Sequence, residues 1–242
     1  MRKIRLVLAY LIGGSALLGA PMAAASTAGL AQGDSPASYA TLGDQVASPA
    51  AILSVRADDP ISPSDLQLAM RDLWTNHIFW VRSVVLAANR DDSGAATAAE
   101  AQVVENARAI ADAVIPFYGQ EGADGLFELL AGHWGGIKQY MEAAFDNKDA
   151  DKDKASQAIV DNAEAIADFL DGANPNLPKD TVLPLLMAHG GHHMQQIELV
   201  KKGDFTQEAT VWRSMLDHIY TVSDALAGAI SKQFPDLVKA EK

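Results

Sequence analysis

Cysteine is absent from this sequence, so it has neither a disulfide framework nor a thiolate that could act as nucleophile or metal ligand. The sequence also lacks a G-x-S-x-G turn, a glycine-rich phosphate loop and an H-E-x-x-H pair. These absences remove the support for covalent catalysis, nucleotide chemistry and zinc-protease chemistry. No catalytic residue is therefore predicted, an enzymatic role is not favoured, and stability must come from a hydrophobic core.

Strand-like alternation of apolar and polar residues is missing as well. The β-branched residues are scattered at helical spacing, which favours helices throughout. Because 49% of the residues are hydrophobic, the chain is not a disordered acidic tail, and its length suits one domain with a sizeable core. The predicted fold class is all-α.

Basic residues are few: 19 Lys and Arg stand against 31 Asp and Glu, which gives a formal net charge of −12. A surface of that sign repels nucleic acid and anionic lipid. We therefore expect no nucleic-acid partner and, once the N-terminal segment is removed, no membrane partner. A protein partner is neither indicated nor excluded.

The N-terminal segment has the features of a secretory signal peptide. A basic start, Met1 to Arg5, precedes a short apolar run, and the small-residue pattern Ala23-x-Ala25 follows it. Cleavage after Ala25 is predicted, with an uncleaved anchor as the alternative, and the mature protein is expected to be periplasmic or secreted. The domain prediction is a signal peptide over 1–25, a flexible leader over 26–61, a helical bundle domain over 62–235 and a tail over 236–242.

Six helices are predicted from apolar residues at three- and four-residue steps. Four of them run over roughly 63–89, 96–115, 122–146 and 206–233. A helix around Ile159 to Phe169 precedes a stop at Gly172, and another begins near Thr181 and ends at Gly203. The turn Pro116 to Gly119 and the charged run Asn147 to Lys154 are predicted to separate the helices on either side of them.

The chain repeats itself at a fixed interval. The steps from His77 to His133 and from His133 to His189 are both 56 residues. The same offset aligns three further polar positions, Asn106, Asn162 and His218. The repeat predicts three αα-hairpins that share one template and pack as a compact six-helix bundle, with a short solenoid as the alternative.

These repeated positions place imidazole and carboxamide groups among Leu, Ile and Val, where each must find a partner. One interpretation is a buried hydrogen-bond network that pairs the histidines with Asn106, Asn162 and backbone carbonyls, in a non-catalytic structural or partner-binding bundle. A second is a site for a divalent transition metal such as Zn, Ni, Cu or Fe, and a third is a site for haem or an organic ligand. The candidate metal ligands are His77, His133, His189, His193 and His218.

Other residues near the layer have simpler interpretations. The glycines beside the histidines are predicted to allow close helix approach, with space or a bend at a binding cavity as the alternative. They are Gly132, Gly135, Gly136, Gly190 and Gly191. The four tryptophans are predicted to fill the core with satisfied N–H groups. Arg82 and Lys138, which the repeat aligns, are predicted to lie on a solvated helix face, with anion binding as the alternative. The recurring Asp112, Asp168 and Asp224 are predicted to be solvated or bonded to the next hairpin.

Two resemblances accompany this interpretation. The start Leu73-Trp74-x-x-His77-x-x-Trp80, the turn at 116–119 and the helix 162–170 resemble a group of uncharacterised bacterial all-α proteins; the resemblance covers roughly 65 to 230 and implies no function. Separately, the stretch 189–196, HGGHHMQQ, resembles the late-helix motif of DinB-type metal-binding bundles.

The DinB-type resemblance implies a ligand set. In those bundles the first and last histidines of the motif bind a divalent metal together with a third histidine from another helix. Carried over, it implies His189 and His193 as ligands, with His77 or His133 as the third. The six helices and internal repeat predicted here differ from the four-helix pattern of that family.

Overall fold

This computed structural model describes residues 60–239, which contain six helices and no strand. The helices are α1 (Pro63–Asn89), α2 (Ser93–Asp112), α3 (Ile115–Phe145), α4 (Asp149–Ala173), α5 (Lys179–Lys202) and α6 (Phe205–Gln233). The all-α prediction is confirmed. The predicted signal peptide and nearly all of the predicted leader lie outside the described residues.

Local capping explains where several helices begin and end. Ser62 accepts a hydrogen bond from the Asp65 amide at 3.0 Å, and Pro63 occupies the first turn of α1, where its missing N–H costs nothing. Asp92 and Asp204 cap α2 and α6 in the same way. Gly203 ends α5 with a φ of 73°, a left-handed conformation that favours glycine.

The structure corrects three helix boundaries. Residues 116–119, predicted as a turn, belong to α3, which contains a kink at Gly119 where φ is 70°. Helix α4 begins at Asp149 inside the charged run predicted as a turn, since acidic residues in a first turn interact favourably with the helix dipole. Helix α5 begins at Lys179 after Pro178, so Thr181 lies within the helix and does not cap it.

The helices pack in a closed order. Each consecutive pair is in contact, and α1 also packs against α6, so the first and last helices are neighbours. In addition, α5 contacts both α1 and α3. The odd-numbered helices α1, α3 and α5 therefore line the interior, and this packing is compatible with the predicted compact bundle.

The C-terminal residues take part in this packing as far as Lys239. Ile61 donates to the Leu237 carbonyl at 2.9 Å, and the Lys239 amide donates to the Ile61 carbonyl at 3.0 Å. The Val238 side chain is buried in the core beneath α1 and α6.

Among the six described helices, none is long and apolar enough to cross a membrane.

Glycine lets three helices approach closely beside the histidine layer. A Cβ on Gly136 of α3 would lie 3.0 Å from the Ile159 side chain of α4, and one on Gly190 of α5 would lie 2.9 Å from the same side chain. Ile159 thus fits between the two glycines, which confirms the prediction of close approach at these positions. Gly135 and Gly191 face open space, so close approach does not explain them.

Candidate metal centre

Three interior helices each bring one histidine to the same point of the bundle. His77 comes from α1, His133 from α3 and His189 from α5, and His193 follows His189 by one helical turn. All four side chains are buried, with exposed fractions between 2% and 5%. One ring nitrogen from each lies within 4.8 Å of the corresponding nitrogen of the other three.

The rings face one another closely enough to share one ion. The Nε2 atoms of His189 and His193 are 3.2 Å apart. Four imidazole nitrogens at about 2.1 Å from a tetrahedral metal would lie about 3.4 Å from one another. The His189–His193 pair is close to that spacing, and the other pairs of potential ligand nitrogens lie within 4.8 Å.

The His133 and His77 rings complete the arrangement. His133 stacks on His189 with ring centroids 5.4 Å apart, and His77 lies 5.6 Å from His189 and 5.9 Å from His193. The four rings therefore form one contiguous group, which we call the histidine cluster. Among the described residues, this group of potential metal ligands includes no Asp or Glu.

Burial keeps these imidazoles neutral. It lowers the pKa of His77 to about 3, with the neighbouring His133 adding to the shift. It lowers the pKa of His133 to about 4, and the nearby Asn162 counters part of that shift. Burial and then the charges that the other imidazoles would carry hold the pKa of His189 and His193 well below the ordinary value of 6.5. Neutral imidazole is the form that binds metals.

Most nitrogens of the cluster have no hydrogen-bond partner among the described residues. These are both ring nitrogens of His77, both of His133 and Nδ1 of His189. A buried polar atom without a partner costs about 1–3 kcal/mol, so five such atoms in one place require an explanation. A shared metal ion would satisfy one nitrogen of each ring at once.

The asparagine amide groups donate to backbone carbonyls, and the Oδ1 atom of each is buried without a partner among the described residues. The Asn106 side-chain amide donates to the Leu73 carbonyl at 3.0 Å, and the Asn162 amide donates to the Leu129 carbonyl at 3.0 Å. His218 behaves like them, since its Nε2 lies 2.9 Å from the Leu185 carbonyl and donates to it. These three side chains tie neighbouring helices together and leave the histidine cluster to itself.

Of the five predicted metal ligands, the structure brings together four. His218 lies beside the cluster, with its ring centroid 6.5 Å from that of His189, but its Nε2 is committed to the backbone. His192, which the sequence places next to His193, is only partly buried and faces His218 at 5.4 Å between centroids. His193 is thus the second potential ligand on α5.

A buried ion pair flanks the cluster, and the sequence did not predict it. Glu208 of α6 is 1% exposed and accepts two hydrogen bonds from Arg82 of α1, at 2.6 and 2.7 Å. The Gln196 amide, three residues after His193, donates to the same carboxylate at 3.2 Å. The prediction that Arg82 lies on a solvated face is wrong, because its side chain is only 28% exposed and pairs with Glu208 of α6.

The other aligned polar residues are also paired. Lys138 bonds to Glu100 at 2.5 Å, so its predicted solvated position is wrong as well. Asp224 binds Arg71, and Asp168 binds Lys179 at the start of α5, as the prediction of a bond to the next hairpin expects. None of these carboxylates lies in the histidine cluster.

Comparison with known proteins adds no function to this geometry, since no family model, no curated protein and no solved structure matches the chain. The likeness of residues 189–196 to the DinB-type motif therefore rests on the motif alone. What the structure adds is a group of four imidazoles from three helices that lie close enough together to hold a metal ion.

Proposed function

We propose that this protein binds one divalent transition metal through His77, His133, His189 and His193. The observation that carries the proposal is the convergence of four buried, neutral imidazoles whose ring nitrogens lie within 4.8 Å of one another. Such a set lacks the carboxylate and carbonyl oxygens that Mg²⁺ and Ca²⁺ prefer. Imidazole suits Zn, Cu, Fe and Ni, and these are the metals we expect.

The proposal includes the architecture that positions the ligands. We infer that the bundle is built from three copies of one hairpin, α1–α2, α3–α4 and α5–α6. Support comes from three hydrogen bonds with the same sequence separation of 33 residues, from residues 106, 162 and 218 to the carbonyls of residues 73, 129 and 185. Each hairpin would contribute one histidine, and the third copy would add His193.

The cellular setting belongs to the proposal too. The signal-like segment 1–25 supports export to the periplasm or beyond, where a cysteine-free protein needs no reducing environment. An exported metal site built of imidazole alone is insensitive to thiol oxidation. The role we infer is therefore metal binding in an oxidising compartment, without a catalytic step.

Metal analysis of the full chain provides the test. Purified protein, stripped with a chelator and titrated with Zn²⁺, Ni²⁺ and Cu²⁺ by calorimetry, should bind one equivalent of at least one of these metals. His133→Ala should weaken that binding by about 100-fold or more, because it removes one of the four imidazoles that would bind the metal directly and leaves a cavity in its place. His192→Ala is the matched control and should bind as the parent does.

The outcomes separate the two interpretations of the layer. Equal affinity in His133→Ala and His192→Ala, or less than one equivalent of every metal after reloading, would contradict the metal site. The histidine cluster would then be a structural core, and the partnerless nitrogens would be satisfied by buried water. A thermal unfolding transition, measured before each titration, shows whether the variant is folded, so that a loss of metal affinity is not confused with a loss of structure.

A further inference from the structure

An apolar cavity of about 90 Å³ leads into the bundle and ends at the histidine cluster. All six helices contribute to its walls, and His133 and His189 line it together with Leu126, Leu130, Ile166 and Leu186. Along α3 the lining runs from Gly122 to His133, which corresponds to about 16 Å of helix rise. The cavity is partly open to solvent, so it connects the outside of the bundle with two of the proposed ligands.

Polar groups are rare on these walls, and they differ in what they bind. Asn174 donates to the Tyr118 hydroxyl at 2.9 Å, and that hydroxyl donates to Gln233, so this end of the cavity is satisfied. Trp74 also lines the cavity, but its Nε1–H is buried without a partner among the described residues. The predicted satisfied N–H is therefore not found for this tryptophan.

Trp74 lies next to the histidine cluster. Its ring centroid is 5.8 Å from that of His77, and both nitrogens of His133, which lines the same cavity, lack a partner. A donor that is nine-tenths buried and partnerless, beside a metal-binding group, selects for a ligand with a hydrogen-bond acceptor at one end. The rest of the ligand must be apolar to match the walls.

Charge decides which acceptor fits best. A divalent metal held by four neutral imidazoles keeps two positive charges in a low-dielectric interior, which is costly without an anion nearby. Within residues 60–239 no carboxylate belongs to the cluster, and Glu208 is already paired with Arg82. An anionic head group would therefore lower the free energy of the metal-bound protein more than a neutral one.

We propose that the cavity binds an aliphatic monocarboxylic acid, with the carboxylate at the metal and Trp74 and the alkyl chain along the apolar walls. This inference rests on the proposed metal site and gives it a ligand class. Zn²⁺ accepts a fifth ligand, and Ni²⁺, Cu²⁺ and Fe commonly take more than four, so four imidazoles leave room for one carboxylate oxygen. The carboxylate and the alkyl chain of the acid would thus each have a matching part of the same cavity: the histidines and Trp74 for the first, the apolar walls for the second.

A chain-length series on the Zn²⁺-loaded full chain tests the proposal by calorimetry. Affinity should rise about fourfold per added methylene from butyrate through hexanoate to octanoate, because each buried methylene contributes about 0.8 kcal/mol. Octanoate should bind at least about tenfold more weakly to the metal-free protein, and octanol should bind more weakly than octanoate to the loaded one. Equal affinity for butyrate and octanoate, or for octanol and octanoate, would overturn the inference.

Substitutions in the cavity separate this inference from the metal site. Ala163→Leu adds bulk to a buried wall residue and should lower octanoate affinity about tenfold or more while Zn²⁺ affinity stays unchanged. Ala225→Leu does the same from a less buried wall position of α6 and decides the matter if Ala163→Leu fails to fold. Trp74→Phe keeps an aromatic ring and removes the donor, and should weaken octanoate binding about tenfold and octanol binding less, because a charged acceptor forms the stronger bond.

The combination of readouts assigns any failure. If the parent protein takes up no metal, the proposed function is wrong and the ligand class fails with it. If the metal binds in one equivalent but octanoate binds equally to the parent, Ala163→Leu and Ala225→Leu, only the ligand inference is overturned.

Discussion

Two sets of polar side chains lie side by side in this bundle, and they are satisfied differently. The outer set, Asn106, Asn162 and His218, donates to backbone carbonyls of the neighbouring helix at 2.9–3.0 Å. The inner set is the histidine cluster, in which five ring nitrogens have no partner among the described residues. The outer donors are paired at all three positions, although Oδ1 of Asn106 and of Asn162 is also buried without a partner among the described residues. The two sets therefore differ in their donors.

The difference teaches which polar positions serve architecture and which are available for a ligand. A side chain that donates to a fixed carbonyl sets the register of two helices and gains about 1 kcal/mol. A neutral imidazole without a partner destabilises the protein until something binds it. The donors of the outer set already have partners within the protein. The nitrogens of the inner set gain a partner only when a ligand binds, and that gain favours binding.

Acid should produce the largest effect, because the four histidines of the inner set are buried and neutral in the folded chain. Below the ordinary pKa of 6.5 the unfolded chain takes up protons at these positions, whereas folded His77 stays neutral to about pH 3 and His133 to about pH 4. The folded chain binds fewer protons, so its free energy of unfolding falls as the pH drops from 6.5 toward 4. The loss approaches about 1 kcal/mol per pH unit for each buried histidine.

Urea unfolding of the metal-free chain at several pH values measures this slope. His133→Leu removes one titrating group and should flatten the slope by about 1 kcal/mol per pH unit, although its stability at neutral pH need not match the parent. Bound metal keeps the imidazoles unprotonated, so the loaded protein should resist acid until protons displace the ion. An unchanged slope in His133→Leu would show that this histidine does not stay neutral on folding.

The ion pair beside the cluster should give the next largest effect. Arg82→Leu leaves Glu208, which is 1% exposed, without its cation, and should destabilise the protein by about 3 kcal/mol in urea unfolding. Lys138→Leu is the matched control from the aligned position. Its partner Glu100 is 24% exposed, so that loss should stay within about 1 kcal/mol. Similar losses in the two variants would contradict the burial argument.

Helical periodicity and the 56-residue repeat were enough to predict six helices and four of the proposed ligands. His77, His133 and His189 could be found because each occupies the same place on an apolar stripe, and His193 because it follows His189 by one turn. The direction of Asn106 and Asn162 could not be predicted. Spacing fixes the face of a helix on which a side chain lies, but the choice between an imidazole and a carbonyl depends on how neighbouring helices are rotated.

Long-range pairs were out of reach for the same reason. Arg82 and Glu208 are 126 residues apart and meet because α6 closes the bundle against α1. The helical turn that starts at Ile115 was missed because Pro116 was interpreted as a helix stop, although proline is well tolerated in a first turn. The kink at Gly119 does lie inside the predicted turn.

His218→Asn should have the smallest effect and gives the sharpest comparison of the two sets. Asn already makes the equivalent bond at residues 106 and 162, so an Asn at 218 should donate to the Leu185 carbonyl and change the free energy of unfolding by no more than about 0.5 kcal/mol. Zn²⁺ affinity should stay within about twofold, because His218 lies outside the four-histidine group. If the affinity instead falls tenfold or more, His218 leaves its carbonyl to bind the ion, and the boundary between the inner and outer sets disappears in the loaded protein.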